Sequence, residues 1–519
     1  MTRKHLLVAL GVLCLAAVLR FTALADYPYG INQDEASRAY EAYSLVQTGH
    51  DSYGHRWPMT LESFSAKRDN ASAIHTYLSI PTVAVLGPTV LAVRLPAAFA
   101  GTLTVAVLMV LAWLLTRSPW VVHLAGFSLA VSNWHLLVSR FGHEAVWALL
   151  FFLGGLAAFV HAQRSPKWYF VSAFSWVVCL YGYPVAKLVV PLSIVLLIFA
   201  YRSQLRKQAW WLGIAGSFGI ALLIPLVLHN LNGWSDFGRV QEVSIFTNTA
   251  MPWWRALFAN IFSWINPFEW VRATISSTPL DWVLALLGLP LFFIAVRPSA
   301  NAKLPRWLIA ALLFIAILPS VLTKFNPNMM RGVMLVGLLH LVGAWGVVTF
   351  LQMLFHRSKS FIRPLATVCI LILGTISLLD FFRPAFSQNN GYATVIPGFT
   401  PEVQPLVQLL TTRYVQEPVV YILDDNLTFF QSYLMMLTPW DPRTITRDRV
   451  NVVQSSGWYR TTRLGRYIFC SAAECAKHSD GIFVQATTGS FVGEKVLDRI
   501  PLAGYGERRA AWVISANGR

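Results

Sequence analysis

Apolar runs recur along this chain from residue 5 to residue 382, and many of the short connections between them carry Lys and Arg with no Asp or Glu. A bilayer core needs about 20 apolar residues per helix. On that measure spans are expected near 5–25, 90–116, 119–139, 143–161, 168–183, 185–201, 209–229, 280–296, 306–323, 331–354 and 363–382. With the N-terminus cytoplasmic, the cytoplasmic ends hold Arg3 and Lys4, Arg117, Arg164 and Lys167, then Arg202, Arg206 and Lys207. Arg297, Lys303 and Arg306 follow, and then Arg357, Lys359 and Arg363, so each inward connection obeys the positive-inside rule. The run 73–88 is shorter and broken by Pro81. Counting it as a span would turn every later basic loop outward, so it is read as lying along the interface. The expectation is an α-helical polytopic protein of the cytoplasmic (inner) membrane with about 11 transmembrane helices. Its N-terminus is placed inside and its C-terminus outside.

Composition supports a membrane chain. It is 55% hydrophobic and 13% charged, where soluble proteins carry about 25% charged residues. The net charge of +17 invites a nucleic-acid reading, but many of the basic residues lie in short loops between apolar runs, a topology signal that argues against such a partner. The first apolar run resembles a signal sequence but is read as a retained first helix. Two large segments face outward, a first loop at 26–72 and a second at 230–279, giving a membrane domain over 1–382. The tail, 383–519, reads as a small extracytoplasmic α/β domain. Strand patterns at 419–423, 467–469, 481–484 and 511–514 alternate there with a helical pattern at 428–437. Cys470 and Cys475 suit a small-loop disulfide if the tail is outside, with two free thiols as the alternative.

The chemistry-bearing candidates gather on the outward side. Asp34 and Glu35 follow Gly30-Ile31-Asn32-Gln33, just past the first span. Acids so close to lipid are costly unless paired or functional. Either they serve a reaction, one taking a proton from an acceptor hydroxyl, or they favour the start of the next helix, whose free N–H groups attract negative charge. Outer turns also carry Arg140, His143 and Glu144, Tyr181 and Tyr183 followed by Lys187, and Lys324 with Arg331. Arg331 reads either as a phosphate contact or as an anchor snorkelling to headgroups. Glu144 suits an (i, i+4) pair with Arg140. Arg94 reads as structural or lipid-facing. Asp51, after Gly49-His50, reads as shaping its loop.

An ordered set of short stretches carries a resemblance over about residues 20–345. They are Asp34-Glu35-Ala36, 42–51, Val93-Arg94-Leu95-Pro96 and Asn133-Trp134-His135, then Ser139-Arg140 through Glu144. Leu180-Tyr181-Gly182-Tyr183 with Lys187 and Pro191, Arg239 with 243–246, and Pro319 with Leu322-Thr323, Asn326-Pro327 and Arg331 complete it. Together these stretches resemble the GT-C class of membrane glycosyltransferases. The branch they are most similar to is the bacterial one related to protein O-mannosyltransferases and lipid A aminoarabinose transferases.

The resemblance implies a polyprenyl-phosphate sugar donor drawn from among the membrane lipids, and a hydroxyl acceptor on a lipid, glycan or protein. It implies an inverting transfer with Asp34 as general base and Glu35 in support. Cations would hold the donor phosphate: Arg331, Lys324, Lys67 or Arg68, and Lys187. Arg140, His143, Glu144, Tyr181 and Tyr183 would line the acceptor side of the cavity. No residue set demands a cofactor, no metal ligands are assigned, and a divalent metal stays open. The stretch 65–71 lacks the Lys-Pro pair and preceding Glu seen in related enzymes. The competing expectation is a flippase or transporter of lipid-linked sugar. No internal repeat of the transporter kind is present in support of it.

Overall fold

The computed structural model describes residues 1–62, 64, 71–232, 240, 242–247, 251–266, 269–270, 279–296, 305–324, 327–354, 362–386, 399–423, 429–454, 459–487, 492–493, 495–502 and 506–517, with backbone only at 362–366, 383–386, 502 and 506–511. Two units emerge, Met1–Thr22 with Ala97–Phe381, and Ala23–Pro96 with Phe382–Arg519. In this division the first loop groups with the tail and not with the first unit. The reason is packing: Ala36, Ala39 and Tyr40 of the loop are buried in the same core as the tail's Val420, Ile422, Phe430 and Leu434.

The first unit is a helical bundle. Among the described residues six helices are long and apolar enough to cross a membrane: Arg3–Phe21, Val90–Thr116, Ala145–Ala162, Ala186–Lys207, Ala209–Leu231 and Val333–Leu354. Shorter apolar helices occupy Trp168–Gly182, Pro279–Ala295, Arg306–Val321 and Thr367–Phe382. This is a multi-pass membrane protein. The run 73–88 holds a 13-residue helix, Ile74–Leu86, about 20 Å long at 1.5 Å per residue and too short for the hydrocarbon core.

The single span expected over 119–139 is instead two helices, Pro119–Val131 and Asn133–Ser139, bent by 63°. Ser132 between them is extended, with ψ 123°. Such a break orphans carbonyls that lipid cannot satisfy. Arg20 answers it. Its guanidinium donates to Ala130 O at 3.2 Å and Leu129 O at 3.4 Å, and meets His135 Nδ1 at 2.7 Å. Arg140 returns the favour to the first helix, donating to Leu19 O at 2.7 Å and Thr22 O at 2.9 Å. Both arginines are fully buried. Ser132 Oγ also donates to Asp281, which lies 3.2 Å from His340.

The second unit is built on a seven-stranded sheet. We number strands in chain order: β1 Ile31–Asn32, β2 Thr60–Leu61, β3 Ala71–Ser72, β4 Phe399–Thr400, β5 Val420–Leu423, β6 Arg449–Val453, β7 Tyr459–Leu464, β8 Tyr467–Cys470, β9 Ile482–Ala486, β10 Lys495–Leu502 and β11 Gly506–Ala516. The sheet order is β10-β11-β9-β5-β8-β7-β6. β5 lies parallel to both β8 and β9, and all four of its residues are buried, as a central strand covered on both faces requires. Helices Val403–Thr412 and Phe430–Leu437 cover one face through Leu406, Leu410, Phe430 and Leu434. Cys470 and Cys475 form a disulfide.

Candidate functional site

Asp34 and Glu35 occupy the first turn of the helix Gln33–Thr48. Its start is written in the sequence as a capping box. The Asn32 side chain accepts from Asp34 N at 2.8 Å, and Glu35 Oε2 accepts from Asn32 N at 3.2 Å. Gly49, left-handed at φ 71°, ends the helix.

The two acids then part company. Glu35 is fully buried and binds Arg94 bidentately, Nε to Oε1 at 2.7 Å and Nη2 to Oε2 at 2.9 Å. Arg94 also donates to Leu24 O, Pro28 O and Gly30 O at 3.2, 2.9 and 2.8 Å. Both Glu35 oxygens are thus engaged in holding an arginine that staples residues 24–30. Glu35, expected in support of Asp34, has its carboxylate on Arg94. Asp34 is half-buried. The one available sequence signal for the staple was an arginine inside the otherwise apolar run 90–116.

A second buried cluster ties the far end of the loop to the tail. Glu41 accepts from Ser52 Oγ at 2.5 Å and Ser52 N at 2.8 Å. Arg449 donates to Ser52 O at 2.7 Å and lies 4.0 Å above the Tyr53 ring. Tyr53 stacks on Tyr459, whose hydroxyl donates to Glu62 at 3.1 Å. Asp51 shapes its loop as expected, accepting from Tyr53 N at 3.0 Å and His55 N at 2.7 Å.

Burial pushes the Glu41 carboxyl up to about 7. Asp51 adds to the rise, and the Ser52 bonds and Arg449 oppose it. The folded chain therefore holds this proton more tightly than the unfolded chain. Glu41's contribution to stability is full below the ordinary carboxylate value and is lost as pH rises through about 7. From this group alone the second unit is expected to lose on the order of 2 kcal/mol between pH 5 and pH 8. Glu41→Gln should flatten that loss. A pH series of urea unfolding followed by tryptophan fluorescence checks it, and equal slopes in the two proteins would contradict it.

The cationic and aromatic candidates lie in the first unit. His143 stacks on Phe141 at 4.9 Å and stands edge-on to Tyr183 at 5.4 Å. Its Nε2 is 3.9 Å from Glu144 Oε1. Arg140, His143 and Glu144 are all buried. The Tyr181 hydroxyl is tied to Leu222 O at 2.9 Å, so it braces the helix Ala209–Leu231. Lys187 is exposed at the start of Ala186–Lys207.

Lys324 is exposed in a turn that residues 243–245 fasten. Lys324 N donates to Val243 O at 2.7 Å, Ile245 N donates to Leu322 O at 3.1 Å, and Ser244 bridges Thr323. Two stretches of the resemblance, 243–246 and 322–323, are thereby neighbours. Arg331 is half-buried. Its backbone N donates to Asn328 Oδ1 at 3.0 Å, and Asn328 N donates to Ser320 Oγ at 2.9 Å. Lys67, Arg68 and Arg239 lie outside the described residues. Among the described residues no three His, Cys, Asp or Glu side chains group to hold a metal ion.

No protein-family model matches the chain, and comparison with curated protein sequences finds no significant match. Solved structures do match. ArnT from Cupriavidus metallidurans, bound to undecaprenyl phosphate, is similar with a TM-score of 0.58 at 12% identity, over 98% of this chain and 99% of that one. The apo Archaeoglobus fulgidus oligosaccharyltransferase is similar with a TM-score of 0.52 at 12% identity, over 83% of this chain and 63% of that one. The same organism's AglB, in complex with an inhibitory peptide and a dolichol-phosphate, gives 0.51 at 12% identity, over 84% and 63%. The fold of this chain is that of the GT-C membrane glycosyltransferases, as the ordered stretches from Asp34 to Arg331 imply.

Proposed function

We propose that this chain is an inverting glycosyltransferase that moves one sugar from a polyprenyl-phosphate carrier to a hydroxyl on a lipid, glycan or protein. The observation that carries the reading is the placement of Asp34, half-buried in the first turn of a capped helix whose start Glu35 and Arg94 hold in place. The neighbours' bound undecaprenyl phosphate and dolichol-phosphate support a lipid-phosphate donor.

In the proposed step the acceptor oxygen attacks the anomeric carbon. Its proton passes to the Asp34 carboxylate. The bond from that carbon to the phosphate oxygen breaks on the opposite face, inverting configuration and releasing polyprenyl phosphate. Phosphate is a good leaving group, so cations rather than a strong acid are needed as its charge develops. Arg331 and Lys324 are the first candidates, with Lys187, Lys67 and Arg68 behind them. Arg140, His143, Glu144, Tyr181 and Tyr183 are assigned to the acceptor side. The work is placed on the outer face of the cytoplasmic membrane, with the N-terminus inside. The basic inner loops support that side, and so does the tail disulfide, a bond of oxidising compartments.

The test is transfer by the purified protein from a panel of radiolabelled polyprenyl-phosphate hexoses, pentoses and amino sugars, with membranes as acceptor source. Transfer from one donor class is expected. Donor binding without transfer to any acceptor would favour movement of the lipid-linked sugar instead.

A further inference from the structure

The residues leading into Asp34 are gripped from the tail, 369 residues away in sequence. Ile31 and Asn32 of β1 pair antiparallel with Thr400 and Phe399 of β4. A ladder this short is marginal by itself, so other contacts must fix it. Thr400 Oγ donates to Ile31 O at 3.0 Å. Gly30, at φ +91°, brings its backbone against Thr400 and Pro401 so closely that a Cβ would stand 2.5 Å from Pro401 N and 2.8 Å from Thr400 C. Phe399, 4% exposed, lies 5.6 Å from the Arg94 guanidinium, the same group that binds Glu35 and Gly30 O.

Tyr433 of the helix Phe430–Leu437 stands near Thr400, Asp34 and Glu35 and is 4% exposed. Burial first, then the Asp34 and Glu35 charges, hold the Tyr433 phenol at about 12, so it keeps its proton across the working range.

We propose that β4 is the positioning element for Asp34, which makes the tail a working part of the transferase and not an appendage. The proposal rests on the reading of Asp34 as base. Thr400 and Phe399 are positioning residues: they act through the backbone of 30–35 and the Arg94 staple and touch no reacting atom. A displacement of about 1 Å at a reacting group costs about 100-fold in rate, so losing one hydroxyl of this grip should show in turnover.

The test uses the full chain in nanodiscs, with Thr400→Val and Thr400→Ser beside Asp34→Asn. Turnover is read with whichever donor of the panel is active, binding with undecaprenyl phosphate, and local order by amide exchange at 31–35. Thr400→Val is expected to lower kcat about 10-fold or more. KM and undecaprenyl-phosphate binding should stay within about twofold, as expected when a transition-state term is lost. Exchange at 31–35 should quicken while β5 stays protected, and Thr400→Ser should restore kcat. Unchanged exchange at 31–35 in Thr400→Val overturns the proposal, as does a kcat loss that only tracks loss of folded protein. If Asp34→Asn is inactive while Thr400→Val turns over normally, the positioning role alone fails. If Asp34→Asn turns over normally, the base assignment fails.

Discussion

Asp34→Asn is expected to lower kcat by about 10²–10⁴-fold, the usual worth of a positioned general base, while undecaprenyl phosphate still binds. The substitution keeps the side-chain shape and leaves intact the backbone bond by which Asp34 N meets Asn32 Oδ1, so the helix start should survive. Glu35→Gln is expected to do the reverse. Glu35 is spent on Arg94, so its loss should cost stability first, with kcat per folded molecule falling less than 10-fold. Single-turnover transfer measured beside thermal unfolding separates the two. A Glu35→Gln protein as stable as the wild type but catalytically dead would return Glu35 to the chemistry.

The largest stability effect is expected from Arg94→Met. It strands a fully buried carboxylate at Glu35 and removes the donor from three backbone carbonyls, Leu24 O, Pro28 O and Gly30 O. Breaking a buried pair from one side costs about 3–5 kcal/mol. The melting of the second unit should then fall by on the order of 10 °C. Replacing both partners, Arg94→Met with Glu35→Leu, should recover part of the loss, because the buried charge goes as well. Differential scanning calorimetry of the single and double variants checks this. Equal melting temperatures in wild type and Arg94→Met would remove the staple from the account.

Much of the bundle could be read from hydropathy and loop charge, since a bilayer forces helices to be long, apolar and flanked by charge. The tail's central strands were legible for a related reason: 420–423 and 482–486 are apolar runs bounded by turn residues. β6 and β10 were not, because Arg449, Asn451, Asp498 and Arg499 interrupt their apolar pattern. The bend at Ser132 was hidden because what makes it stable is Arg20 on another helix. The site divides the same way. Asp34 was visible as an acid beside lipid. Its supports were not, because Arg94, Phe399 and Thr400 act on the backbone around it only through the fold.

Labelling of position 34 in intact cells tests the central claim most directly. In Asp34→Cys, with Cys14, Cys179 and Cys369 replaced by Ser, a membrane-impermeant maleimide added outside should modify the chain without permeabilisation. Modification that appears only after the inner face is opened would put the carboxylate on the wrong side of the membrane for this chemistry.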